Sequence, residues 1–399
     1  MHAGDRPGAA APLRVLVVED STFFRTQLVR LLTADGDIEV VGQAVNGAEA
    51  VVKAKALLPD LITMDVEMPV MDGISAVREI MRQSPTRILM LSSFTREGAE
   101  ATLGALEAGA LDFIQKRAIT ADTLASVGHV VRTKVREIVR NGRAPAALRK
   151  PGAASLQALA GPPDGMQPRQ AEPGTPAPWA DAGVARTAAP RPSQAPEALA
   201  PRATGEPGWF TGCPLLVLGA STGGPVVLGE LLGAIPASFP CPILVAVHIP
   251  GSFSRFFAER LNARCAWTVE EAASGARLVP GKVLVAPGGQ QTRVVRAGSA
   301  LAVEVEPGPA ELLYKPSIDY TLSSVASVVG RGALAVVLTG MGNDGTQGAR
   351  ALSAAGGTVW AQDESSSVVF GMPASVIKAG LASEVLSISG LAARLARGR

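Results

Sequence analysis

Between Ala144 and Gly208 the chain carries thirteen of its thirty prolines, no isoleucine and no phenylalanine, and consists mostly of Ala, Gly, Pro and Arg. Such a stretch cannot bury enough apolar surface to offset the entropy of ordering it. Residues 142–209 are therefore predicted to form a disordered, partly extended linker. It divides 399 residues into two segments of ordinary domain size, 13–141 after a short tail (1–12), and 210–399. With 47% apolar residues, both can fill a core. A net charge of +2 without a dense Lys/Arg stripe argues against a nucleic-acid partner. Cys213, Cys241 and Cys265 have no metal-ligand spacing and are odd in number, and the N-terminus lacks the apolar centre of a secretion signal. No run of about 18 apolar residues occurs, so no membrane insertion is expected. These features predict a cytoplasmic protein.

In the first segment, apolar runs at 13–18, 38–44, 60–65, 87–92 and 111–116 alternate with helix-like stretches at 22–34, 47–57, 73–82 and 97–108, with a last helix at 121–140. In the second, strands at 214–220, 241–248, 282–288 and 333–340 alternate with helices at 225–234, 252–263, 318–329 and 345–355, and 292–306 has the pattern of a hairpin. Alternating β and α units predict two doubly wound parallel-sheet α/β domains, the first flavodoxin-like and the second Rossmann-like, with sites at the carboxyl ends of the strands.

Glu19 and Asp20 end the first strand and Asp65 the third, so three carboxylates should converge on one edge. Their repulsion calls for a hard cation, and oxygen ligands suit Mg²⁺. Ser92 and Lys116, at the ends of the fourth and fifth strands, would complement a phosphoryl group built on Asp65. Each residue alone has a plainer reading, a helix cap for an aspartate or a solvated lysine; the joint placement favours phosphoryl transfer.

With "VEDS", "MDVEMPVMDG", "LSS" and "DFIQK" in place, residues 13–140 resemble the receiver domain of two-component response regulators. The resemblance implies that Asp65 accepts phosphate from a histidine kinase. It also implies that Glu19, Asp20 and the backbone of Glu67 help bind Mg²⁺ beside Asp65, and that Phe113 is the switch aromatic. One departure is Arg117, where the family usually has proline after the lysine; a trans Lys116–Arg117 bond is expected, since a cis one would cost about 2.5–4 kcal/mol.

In the second segment, Gly219-Ala220-Ser221-Thr222-Gly223 fits G-x-S-x-G between a strand and a helix, where a serine hydroxyl sits on a sharp turn. The pattern alone also suits phosphate binding at a helix N-terminus or a capping serine. A base is needed to decide. Of three histidines, His2 lies in the tail and His129 in the last helix of the first segment; His248 ends a strand on the same edge as Ser221. The general-base reading then becomes the better one. The only acid between them, Glu230, points away within a helix, so the order of an α/β-hydrolase fails. Asp344, in "LTGMGNDG", is the candidate partner, or a helix N-cap, or both. Gly340, Gly342 and Gly345 would let backbone N–H groups approach an oxyanion.

"GASTGGP", "VHIPGSFS", "APGG", "LTGMGNDG" and "FGMPASVIKAG" occur in this order, and residues 212–396 resemble the catalytic domain of the chemotaxis protein-glutamate methylesterases. The resemblance implies Ser221 as nucleophile, His248 as base and Asp344 as its partner. It also implies that Thr222 flanks the nucleophile and that the Met341 N–H is the oxyanion donor. It further implies ester hydrolysis, with glutamine deamidation, on methyl-accepting chemoreceptors, no cofactor for the esterase, and a chemotaxis histidine kinase as phosphodonor. "YKPSID" and Val247 depart from the family's usual His-Arg-Pro start and Gln. The arrangement further suggests a receiver that covers the esterase cleft until phosphorylated. A DNA-binding output would need a basic recognition helix, and "LAARLARGR" is too short. A nucleotide-binding module would need an acid for ribose about 20 residues past the glycine loop, and none is there.

Overall fold

A computed structural model of the chain describes residues 11–93, 95–116, 124–141, 213–236 and 238–397. Residues 1–10 of the expected tail, the expected linker, and the Lys116–Arg117 peptide lie outside these residues.

The first sheet holds β1 (Leu13–Val18), β2 (Ile38–Ala44), β3 (Leu61–Asp65), β4 (Arg87–Ser92) and β5 (Asp112–Gln115), all parallel, in the order β2-β1-β3-β4-β5. Its helices are α1 (Thr22–Thr33), α2 (Gly47–Leu57), α3 (Gly73–Gln83), α4 (Arg96–Ala108) and α5 (Leu124–Asn141). Central strands covered on both faces read as unbroken apolar runs, and Val15 to Val18 are wholly buried. The helices begin where a side chain can satisfy a free N–H: Ser21, Asn46, Asp72 and Thr95 accept from Phe24, Glu49, Ser75 and Gly98.

The second sheet has seven parallel strands. They are β6 (Leu216–Ala220), β7 (Ile243–Val247), β8 (Thr268–Glu271), β9 (Lys282–Val285), β12 (Leu334–Val337), β13 (Thr358–Gln362) and β14 (Glu384–Leu386). The antiparallel hairpin β10 (Gln291–Ala297) and β11 (Ala300–Glu306) stands apart from it. The helices are α6 (Gly224–Ala234), α7 (Gly251–Asn262), α8 (Ile318–Val328), α9 (Thr346–Ala354), α10 (Met372–Lys378) and α11 (Ile388–Ala396). The order is β14-β13-β12-β6-β7-β9-β8. From β6 the chain winds one way through β7 and returns on the other side at β12, which makes the β6/β12 edge a topological switch point.

β8, β13, β14, α10 and α11 extend the expected pattern. β8 (TVEE) and β14 (EVL) are edge strands of four and three residues that carry glutamates, so neither reads as an apolar run.

The two sheets' helices meet. Helix α4 packs on α6 and α7, with Leu103 and Leu106 facing Val226, Phe257 and Leu261 around a crevice of about 350 Å³. Glu107 pairs with Arg260 and Arg264 across it. Phe113 of β5 stacks on Phe253 of α7 at 4.4 Å and 21°, and Gln115 Nε2 donates to Ser252 Oγ at 2.9 Å.

Candidate functional site

On the first sheet, carboxylate oxygens of Glu19, Asp20 and Asp65 all lie within 4.8 Å of one another. Lys116 Nζ reaches Asp65 Oδ2 at 2.7 Å and Glu19 Oε2 at 2.9 Å. Burial, with Asp65's charge beside it, pushes Glu19 up to about 6, against the pull of Lys116 and the Ser21 N–H. Asp65 is also held above the usual carboxylate range, first by burial, with Lys116 and the Val66 N–H working the other way. Lys116 is raised: burial disfavours its charge, but Asp65 and Glu19 more than compensate. A crowded, desolvated set of oxygen donors with one cation is the chemistry a hard divalent ion fits.

Ser92 is not brought onto this cluster. Its hydroxyl is buried and bonded to Thr102 Oγ1 at 2.6 Å, with Ser93 O and Gly98 O at 3.2 and 3.3 Å. The Glu67 side chain is exposed, with Ser93 Oγ 3.4 Å from its Oε1; the expectation concerned its backbone, one residue past Val66. Phe113 is buried against Phe253.

On the second sheet, Ser221 follows β6, His248 follows β7, and Asp344 lies in the loop after β12, so three adjacent strands deliver them to one edge. His248 Nδ1 is 3.1 Å from Ser221 Oγ, and Nε2 is 2.8 Å from Asp344 Oδ2. The geometry sets the tautomer: Nε2–H donates to the carboxylate, leaving Nδ1 to accept the serine proton. Glycines permit the close approach. A Cβ on Gly340 would stand 2.8 Å from Ser221 Cβ, and Gly223, at φ +78°, would drive one into Val368.

Asp344 is not the cap of its own helix. Gly345 occupies that position on α9, without a side-chain cap bond. The carboxylate instead accepts from the Ile318 and Asp319 N–H groups at the start of α8 (2.7 and 3.0 Å), from Ser317 Oγ (3.0 Å) and from Gly345 N–H (3.1 Å). Burial would raise this carboxyl, but the His248 contact and the Asp319 and Ile318 N–H groups hold it below the usual range. It stays ionised against the imidazole.

The neighbours supply residues the sequence pattern did not single out. Tyr314 stacks on the His248 ring at 4.1 Å and 5°. Thr339 Oγ1 donates to the Thr222 carbonyl at 2.9 Å. From the first sheet, Asp112 accepts from the Thr222 hydroxyl at 2.5 Å and pairs with Lys134 at 2.7 Å. Asp112, Phe113, Gln115 and Lys134 form one wall of a cleft of about 510 Å³ whose other wall holds His248 and Tyr314. Ser317, four residues before Thr321, had a visible signal as the cap of α8; Asp112 had none, because its partner is 110 residues away.

The family model for the CheB methylesterase matches residues 216–395, and that for the response regulator receiver domain matches 15–127. The chain is 43% identical over 388 residues to protein-glutamate methylesterase/protein-glutamine glutaminase 1 of Vibrio vulnificus (strain CMCP6), covering 96% of this chain and 98% of that one. It is 44% identical over 391 residues to the like-named protein of Shewanella denitrificans, covering 95% and 97%. A crystal structure of the Thermotoga maritima CheB methylesterase catalytic domain aligns at 37% identity over 46% of this chain and 97% of that one, with a TM-score of 0.45. Identity of 43–44% along nearly the whole length, with both family models matched in order, places the chain in the protein-glutamate methylesterase/protein-glutamine glutaminase family.

Proposed function

We propose that the chain is a phosphorylation-regulated serine esterase that hydrolyses glutamate γ-methyl esters on methyl-accepting chemoreceptors, deamidates glutamines there, and so mediates sensory adaptation. Its parts are a receiver domain at 13–141, a linker at 142–209 and a methylesterase domain at 210–399. The observation that carries the reading is the chain of contacts Ser221–His248–Asp344 at 3.1 and 2.8 Å, in a relative of enzymes with this activity in their names.

Ser221 Oγ attacks the ester carbonyl while His248 Nδ1 takes its proton, and Asp344 stabilises the imidazolium. The Met341 N–H, one residue past Gly340, which packs on Ser221, would hold the oxyanion. The imidazolium returns the proton to the leaving methoxide, so methanol departs; for a glutamine, ammonia does. Water then attacks the acyl-enzyme with His248 as base, leaving a free glutamate and Ser221 restored. The esterase step involves no cofactor.

The receiver's chemistry is phosphoryl transfer to Asp65, with a chemotaxis histidine kinase as donor. Glu19, Asp20, Asp65 and the Glu67 carbonyl would hold Mg²⁺, which offsets charge on the transferring group; Lys116 pairs with a phosphoryl oxygen, and Ser92 turns in to meet another. A receptor helix is about 10–12 Å across, and Asp112, Phe113 and Gln115 of the receiver wall the cleft beside His248 and Tyr314 where it would dock. The receiver must move aside before Ser221 meets its substrate, and phosphorylation biases that equilibrium. The reading places the enzyme in the cytoplasm; among the described residues no helix is long and apolar enough to cross a membrane.

A fluorophosphonate probe should label the full chain at Ser221, and Ser221→Ala should neither label nor release methanol from methylated receptor membranes while remaining folded. Methanol release near the parent rate from Ser221→Ala would overturn the assignment.

A further inference from the structure

Tyr314 lies in the loop between β11 and α8, where the sequence departs from the family's usual pattern. Its ring lies face to face with the His248 imidazole at 4.1 Å and 5°. The loop is held by a buried side chain: Gln291 Nε2 donates to the Tyr314 carbonyl at 2.8 Å, and its Oε1 accepts the Ser317 N–H at 2.8 Å. One glutamine thus fixes both the ring on His248 and the serine on Asp344. The phenol oxygen reaches the oxyanion loop, 3.5 Å from where a Cβ on Gly342 would stand. Burial, and then Asp344's charge, raise the phenol above its ordinary range, so it stays neutral.

His248 is bounded on each side. Ser221 meets Nδ1, Asp344 meets Nε2, and Tyr314 covers a face. Proton transfer from Ser221 turns the imidazole into a cation in the transition state. A neutral aromatic face attracts a cation far more than a neutral ring, and a contact that strengthens only in the transition state raises kcat rather than binding. We propose that Tyr314 is a positioning residue for the hydrolysis: its ring orients His248 and stabilises the imidazolium that forms there. The proposal rests on the triad reading of Ser221, His248 and Asp344.

The test uses the full chain with Mg²⁺ and acetyl phosphate, measuring methanol release from methylated receptor membranes against substrate and pH, and fluorophosphonate labelling. Tyr314→Leu should lower kcat roughly three- to thirty-fold with little change in KM, the range a desolvated cation–π contact supplies. Losing a contact that favours the cation also moves the acid limb of the rate profile to lower pH. Tyr314→Phe, which keeps the face, should rescue both rate and profile. The other charged groups facing His248 are Asp344 on its own edge and Asp112, Lys134 and Lys315 around the cleft; they are the same in every variant. Thermal unfolding checks the fold, and Tyr314→Met replaces the leucine variant if that one unfolds. Unchanged kcat in Tyr314→Leu, a loss confined to KM, or a Tyr314→Phe enzyme as slow as Tyr314→Leu would overturn the proposal while Ser221→Ala stays dead. Activity surviving in Ser221→Ala would overturn it together with the triad.

Discussion

The hydroxyl of Thr222, one residue past Ser221, donates to the Asp112 carboxylate at 2.5 Å, and both groups are buried. Asp112 begins β5, directly before Phe113, so the turn that carries Ser221 is tied to the strand that carries Phe113. A hydrogen bond to a charged group is worth about 1.5–3 kcal/mol, which favours a docked receiver about ten-fold or more.

Asp112→Ala should therefore raise methanol release by the unphosphorylated chain several-fold and shrink the stimulation by acetyl phosphate. The substitution removes the acceptor and leaves Lys134 facing the esterase without its partner. Release measured on methylated receptor membranes, before and after acetyl phosphate, decides it. An unphosphorylated rate equal to the parent's would show that this contact holds nothing.

Asp344→Asn should cost both activity and stability. The carboxylate accepts four donors besides His248, whereas an amide offers one oxygen and turns an NH₂ toward N–H groups. The imidazole also loses the partner that fixes its tautomer, an effect of roughly 10⁴ in kcat where it has been isolated. The expected result is an enzyme slowed by about 10³-fold or more, with a lower unfolding midpoint. A stable variant with near-parent kcat would contradict the account of Asp344.

Much of this was legible in the sequence. Strands covered on both faces write themselves as unbroken apolar runs, and Glu19, Asp65, Ser221 and His248 stand directly at strand ends, where parallel topology dictates a shared edge. The edge strands β8 and β14 were not legible, because they are only four and three residues long and carry glutamates where a buried strand would be apolar. Nor was the role of Asp344 as acceptor for another helix, since its donors on α8 lie 25 and 26 residues upstream. Tyr314 and Asp112 depend on how two loops and two sheets meet. No periodicity encodes that.

Asp65→Ala should abolish incorporation of phosphate from acetyl phosphate and Mg²⁺, because Asp65 is the carboxylate that Lys116 holds at 2.7 Å within the acidic cluster. The bond formed is an acyl phosphate, so label on the parent should be released by hydroxylamine. Label of the same amount on Asp65→Ala would move the acceptor elsewhere.

Glu230→Gln should stabilise the chain at pH 8 and have little effect at pH 5. Burial alone holds this carboxyl above its ordinary range, in the crevice between α4, α6 and α7. A raised folded value means the native state binds the proton more tightly, so the stability this group lends is present at low pH and lost as pH rises through the folded value. A neutral amide of the same shape removes that loss. Unfolding midpoints of the two proteins should coincide in acid and separate in base; an equal difference at both pH values would exclude titration of Glu230 as the cause.

Phe113 on Phe253, Leu103 and Leu106 against Val226 and Phe257, and Glu107 on Arg260 and Arg264 all hold the receiver beside Ser221. The apolar part of that face favours docking in water, while the exposed ion pairs add little. The proposed linker would work the other way: some sixty-five residues lie between Ala144 and Gly208, and effective concentration falls with tether length. Inhibition should therefore be real but incomplete. A fragment beginning near Trp209 should release methanol faster than the unphosphorylated full chain, and acetyl phosphate should stimulate only the full chain. Phe113→Ala in the full chain should fall between them, because it removes the stack and leaves the α4 contacts. Equal rates for the fragment and the unphosphorylated full chain would rule out inhibition by the receiver, whatever its position against the cleft.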